Sequence, residues 1–136
     1  RGLGDVYKRQ GSGAAVELVF YNPRKQQVEL YAGGAITSKG VDGTAAWMKL
    51  GGTLMITANG GTKGGTSGGT GGTYEISPAL QVLQILTAAN GSNGKTGYSG
   101  SVGTVVSASP YENWGSSSEG SAACGGLRLE YLRPKP

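Results

Sequence analysis

The sequence predicts a mainly β fold, a two-layer antiparallel sandwich or jelly-roll-like arrangement of about six to eight short strands, with one short helix near 78–90. Three observations predict it. Apolar residues alternate with period two over several stretches, glycine pairs and Asn-Pro punctuate them as turns, and only one stretch has a helical period. The alternative is an α+β domain with that helix across a single antiparallel sheet.

The first element is the clearest. Val16, Leu18 and Phe20 alternate with Glu17, Val19 and Tyr21, and after Asn22-Pro23-Arg24-Lys25 the pattern resumes as Val28, Leu30 and Ala32 against Gln27, Glu29 and Tyr31. Alternation on both sides of an Asn-Pro turn predicts a β-hairpin. Setting Leu18 opposite Leu30 keeps the apolar set on one face and avoids placing Glu17 against Glu29. The loop is then 22–26.

A second hairpin is expected over 45–58. Ala45 to Leu50 and Thr53 to Ala58 flank Gly51-Gly52, which supplies the positive φ angles of a tight turn. Counting outward from the turn places Trp47 opposite Ile56 and Met48 opposite Met55. Both faces are partly apolar, so Trp47 is expected in the core.

Residues 59–72 read NGGTKGGTSGGTGG, with Gly-Gly-Thr recurring at irregular spacing between 51 and 73. No side chain here offsets ordering entropy by burial, so the expectation is a flexible surface loop. A sharper reading is extended, polyproline-II-like packing of glycine strands, because such backbones approach one another closely. A phosphate-cradling loop is not supported: Thr62-Lys63 has the wrong order, and Gly94-Lys95 lacks the flanking strand and helix.

Residues 77–91 predict the helix. Ser77 is a cap, Pro78 suits the first helical position, and Gly91 is a stop. Leu80, Leu83 and Leu86, with Val82, Ile85 and Ala89, form a stripe of helical period. The same segment also tolerates a buried strand. Asn90-Gly91-Ser92-Asn93-Gly94 follows as a turn cluster that includes an Asn-x-Ser glycosylation pattern. Strands are expected at 101–108 (Val102, Thr104, Val106) and at 127–132 (Leu127, Leu129, Tyr131). The Arg133-Pro134-Lys135-Pro136 tail cannot continue a ladder.

The 136 residues correspond to one domain. Residues 1–10, RGLGDVYKRQ, resemble a translated sequencing-adapter read-through and are expected to be non-native; 11–132 form a single glycine-rich β domain, and 133–136 a solvated tail. The formal charge is +4, and Arg1, Lys8 and Arg9 against Asp5 supply two of those charges. The case for a polyanion partner therefore nearly vanishes. Glycine accounts for 27 residues, about three times its usual share. Leu, Ile, Val and Phe together reach only about 18%. So thin a core is often completed by copies of the chain or by a partner. Cys124 is the single cysteine, without a basic neighbour, and reads as a small buried residue. No run of about 18 apolar residues occurs, so no membrane span is expected in this chain.

Catalytic chemistry finds few candidates. Histidine is absent, which removes His-dependent nucleophilic systems and most zinc sites. The acids Glu17, Glu29, Asp42, Glu75, Glu112, Glu119 and Glu130 are scattered, and only Glu112 and Glu119 share a loop. Asp42, in Lys-Gly-Val-Asp-Gly-Thr, is a faint echo of a calcium loop. No cofactor and no catalytic residue is expected.

The most suggestive segment is 110–119, PYENWGSSSE. Tyr111, Glu112, Asn113 and Trp114 bring two aromatics, an amide and a carboxylate together, and Tyr98 lies in a glycine-rich turn that belongs to the same end. Sugar sites stack a pyranose on an aromatic face and bind hydroxyls with amides and carboxylates. The competing reading tucks Tyr111 and Trp114 over a sheet edge as core. Basic residues are missing from this loop, so nucleic acid is not an expected partner.

Two functions remain. The first is a non-enzymatic structural or attachment subunit of an extracellular assembly, of phage tail, virion or surface-filament type, working as a homo-oligomer at an extracellular or virion surface. The second is a glycan-binding module using the 110–119 loop, with a glycan or cell-surface receptor as partner.

Overall fold

The fold is mainly β. A computed structural model describes residues 11–33, 41–64 and 68–94, with the backbone of 117–118 and 121–122. Six strands lie in two antiparallel sheets. They are β1 (Ala15–Phe20), β2 (Val28–Tyr31), β3 (Ala46–Leu50), β4 (Thr53–Ala58), β5 (Tyr74–Ile76) and β6 (Val82–Ala89). The first sheet is β1–β6 and the second runs β2–β3–β4–β5. A two-residue pairing of β7 (Ser117–Ser118) with β8 (Ser121–Ala122) stands apart. The strands expected at 101–108 and 127–132, residues 1–10 and Cys124 lie outside the described residues.

β1 and β2 form where the alternation placed them, but they do not form a hairpin with each other. The 22–26 loop is tight: Gln26 N–H donates to Asn22 Oδ1 at 3.0 Å, Asn22 Nδ2 donates back to the Gln26 carbonyl at 2.9 Å, and Lys25 takes a φ of +50°. Instead of reversing within one sheet, the chain crosses there to the other. Leu18 pairs with Ile85, and Leu30 pairs with Met48. Local alternation fixes which residues share a face, whereas the partner strand is set by non-local packing.

The β3–β4 hairpin turns on Gly51 and Gly52, at φ +57° and +82°. Pairing follows the expected count through Leu50–Thr53 and Lys49–Leu54. A bulge then leaves Met55 unpaired, so that Met48 faces Ile56 and Trp47 faces Thr57. The slip brings Ile56 onto the core side with Met48. The core holds Met48, Leu50 and Leu80, flanked by Leu18, Phe20, Val28, Met55, Ile56, Ile76 and Val82. Both sheets therefore contribute to one apolar cluster.

The segment read as a helix is a strand. Ser77 does not cap a helix: its carbonyl accepts from Leu80 N–H at 3.1 Å and its Oγ accepts from Ala79 N–H at 3.2 Å, closing a turn at Pro78-Ala79. β6 then pairs with β1, and its register skips Leu83 and Leu86. These two bulges break the period-two pattern and leave leucines three residues apart, which imitates a helical stripe. No helix occurs among the described residues, and none of them forms a helix long and apolar enough to cross a membrane.

The glycine segments are ordered by close backbone packing and hydrogen bonds, with polar side chains such as Asn59, Thr62 and Asn93 adding further bonds, and not by apolar burial. Gly11 N–H donates to the Thr62 carbonyl at 3.1 Å and Ala14 N–H to that of Asn59 at 2.9 Å. Thr62 N–H donates to Thr70 O and Asn59 N–H to Thr73 O, both at 2.9 Å. Gly91 N–H reaches Gly72 O and Gly94 N–H reaches Gly69 O, both at 2.8 Å. Each antiparallel pair advances three residues between bonds. A β ladder repeats every two, whereas a polyproline-II strand has three residues per turn and no internal hydrogen bonds, leaving every group free for its neighbours. Segments 11–14, 59–64, 68–73 and 90–94 thus form a polyproline-II-like bundle, joined by Gly43 N–H donating to Gly61 O at 2.8 Å. The expectation of a flexible surface loop is overturned for the described part of 59–72.

Candidate functional site

The second sheet presents two chemically different faces because β3 alternates strictly. Ala46, Met48 and Leu50 are buried, while Trp47 and Lys49 between them are half-buried. Trp47 is therefore not a core residue, contrary to the expectation from its partly apolar surroundings. The even-numbered side fills the core with small and aliphatic groups, and the bulky indole is turned outward.

Register carries that outward face across all four strands. Tyr31 pairs with Trp47, Trp47 with Thr57, and Thr57 with Glu75. Directly opposed residues of an antiparallel ladder project to the same side, so these four form a transverse row. At the usual strand spacing the row is about 14 Å long. A second row on the same face runs Glu29, Lys49, Leu54.

The aromatic end of the row is built. The Tyr31 and Trp47 rings stack with centroids 5.4 Å apart and planes inclined by 26°. Lys49 Nζ lies 4.9 Å from the Trp47 ring centroid. An ammonium at that distance is attracted by the ring quadrupole, and offset stacking adds about 0.5–1.5 kcal/mol beyond area burial. Tyr31, at the sheet edge, remains 44% exposed. At the other end of the row, Thr57 and Glu75 line a shallow depression of about 390 Å³ with Leu54, Met55, Ile76, Ser77 and Pro78.

The sequence-predicted site residues Tyr98, Tyr111, Glu112, Asn113 and Trp114 lie outside the described residues. Asp42 is engaged in structure: its Oδ1 accepts Lys63 N–H at 2.7 Å and ties segment 41–43 to the glycine bundle. Among the described residues no group of three or more His, Cys, Asp or Glu could hold a metal ion. Asn90, in the glycosylation pattern, accepts Tyr74 N–H through its Oδ1 at 3.2 Å. The signal that could have found the aromatic face was present in Tyr31, which alternates with the polar set, and in Lys49, which shares its side with Trp47.

The chain matches no protein-family model, and neither the curated proteins nor the solved structures include a match to it.

Proposed function

We propose that this chain is a non-enzymatic structural or attachment subunit of an extracellular assembly, of the phage tail, virion or surface-filament kind, working as a homo-oligomer. The observation that carries the reading is the glycine bundle. It is stiffened by backbone hydrogen bonds, uses almost no apolar mass, and leaves the small core of Met48, Leu50 and Leu80 beside it. Each fully buried aliphatic side chain contributes about 1.5–3 kcal/mol, the equivalent of two or three net hydrogen bonds. Backbone-to-backbone packing therefore carries much of the order, as suits a part whose role is to hold a shape.

The surface of β6 supports the oligomeric part. Leu83, Ile85 and Leu86 are 61%, 54% and 52% exposed. No charged residue occurs between Glu75 and Lys95. Among the described residues the outer edge of β6 is unpaired. Edge strands are ordinarily protected by charges or proline, and an uncharged apolar edge invites another strand.

The test is sedimentation or light scattering on the intact chain. A stable trimer or higher oligomer at micromolar concentration is expected, and a well-folded monomer there counts decisively against the reading.

A further inference from the structure

We propose that the outward face of the four-stranded sheet is a binding site for a neutral oligosaccharide, with Tyr31 and Trp47 as the stacking platform and Thr57 and Glu75 as hydroxyl partners further along the row. The inference does not depend on the assembly proposed above: a monomer presents the same face.

Four observations carry it. The platform is preorganised, because the Tyr31 ring stacks with Trp47 and Lys49 Nζ lies 4.9 Å from the indole centroid, so little entropy is lost when a ligand settles against the pair. The exposed Tyr31 ring adds flat apolar surface. A pyranose offers polarised C–H groups to the negative face of such rings and its hydroxyls to the polar groups around them. The row continues from the aromatics to a hydroxyl and a carboxylate in register, ending at the depression beside Thr57 and Glu75. The ligand is thus one that is apolar on its flat side, hydroxylated at its rim and elongated. Finally, Glu29 and Glu75 outnumber Lys49 on this face. That balance disfavours acidic polysaccharides and nucleic acid and selects a neutral chain.

The experiment titrates the intact protein with cellohexaose, maltohexaose and chitohexaose, with heparin as a polyanionic comparison, and follows backbone amide and indole N–H resonances. Millimolar concentrations of at least one neutral hexasaccharide are expected to shift the Trp47 indole together with the Tyr31, Thr57 and Glu75 amides. Tyr31→Ala is expected to weaken that binding by about tenfold or more, and Tyr31→Phe to retain it because the ring remains. The wild-type shift map tests the site even where a variant folds poorly. The proposal is overturned if no neutral hexasaccharide moves the Trp47 indole, if heparin alone does, or if Trp114→Ala abolishes binding while Tyr31→Ala leaves it intact. The last result places sugar recognition in the 110–119 loop.

Discussion

Gly61 packs against the carbonyl of Gly11 with no room between them for a side-chain atom: a β-carbon at Gly61 would fall far inside van der Waals contact distance of that oxygen. The obstacle is backbone and cannot swing aside. Gly72 stands in the same relation to Asn59, and Gly91 to Ser12. None of these three glycines has a positive φ, so the bundle needs them for closeness and not for conformational freedom.

Gly61→Ala, Gly72→Ala and Gly91→Ala should each destabilise the fold by about 1–3 kcal/mol or more, the range for overpacking a tight interior. Gly52→Asn is the control. Gly52 has a φ of +82° but open space around it, and Asn tolerates the left-handed region. Thermal unfolding by circular dichroism should show a drop of several degrees for the bundle variants and little change for the control. Equal melting temperatures across the set would refute a packed bundle.

Ser12 is the fully buried polar side chain of the bundle, only 1% exposed. Its Oγ accepts Ser92 N–H at 2.7 Å, while its own N–H donates to Ser92 O at 3.0 Å and its carbonyl accepts Gly72 N–H at 2.8 Å. Ser12→Ala keeps the backbone bonds but removes the hydroxyl that accepts from Ser92 N–H. Losing that one hydrogen bond costs about 0.5–1.5 kcal/mol. Hydrogen exchange should show reduced protection at Gly72, Gly91 and Ser92 before any loss in the β3–β4 hairpin. Protection unchanged at these amides would mean that the hydroxyl is not part of the bundle's network.

The two faces of β3 predict opposite costs. Met48 is 4% exposed in the middle of the core cluster, so Met48→Ala should cost about 2–5 kcal/mol by loss of transfer energy and cavity formation. Trp47→Ala removes a larger side chain from the outward face. It should cost less, about 1–2 kcal/mol from the lost stacking and cation–π contacts. Denaturant titrations of the two variants decide the matter, and a larger loss for Trp47→Ala would return the indole to the core.

The sequence showed strands at 14–32 and 45–58 because alternation is local, and Gly51-Gly52 disclosed its turn because only glycine adopts those φ values at no steric cost. Pairing was less legible. Leu18 meets Ile85 across 67 positions of chain, and nothing near Leu18 encodes that choice. β6 was hidden by its bulges at Leu83 and Leu86. The glycine bundle was visible only as recurring Gly-Gly-Thr triplets, whose uneven spacing along the chain gives no regular period to read. Trp47 was misplaced because both faces of 45–58 are partly apolar in sequence, and which face of β3 meets the rest of the core is set by non-local packing.

Those same bulges bear on assembly. Leu83 and Leu86 are the residues that the β1–β6 register skips, and both are exposed together with Ile85. A side chain that neither pairs across the ladder nor enters the core contributes little to folding of the single chain, so charges there should be tolerated within it. Against a second apolar surface the same charges are desolvated without a partner, which costs several kcal/mol per ion. The double variant Leu83→Lys and Leu86→Lys is therefore expected to dissociate the oligomer while changing the melting temperature of the dilute chain by only a few degrees. Sedimentation and thermal unfolding measured side by side separate the alternatives. An intact oligomer with a preserved fold would move the interface elsewhere, and collapse of the fold at every concentration would show that another part of the same chain covers β6.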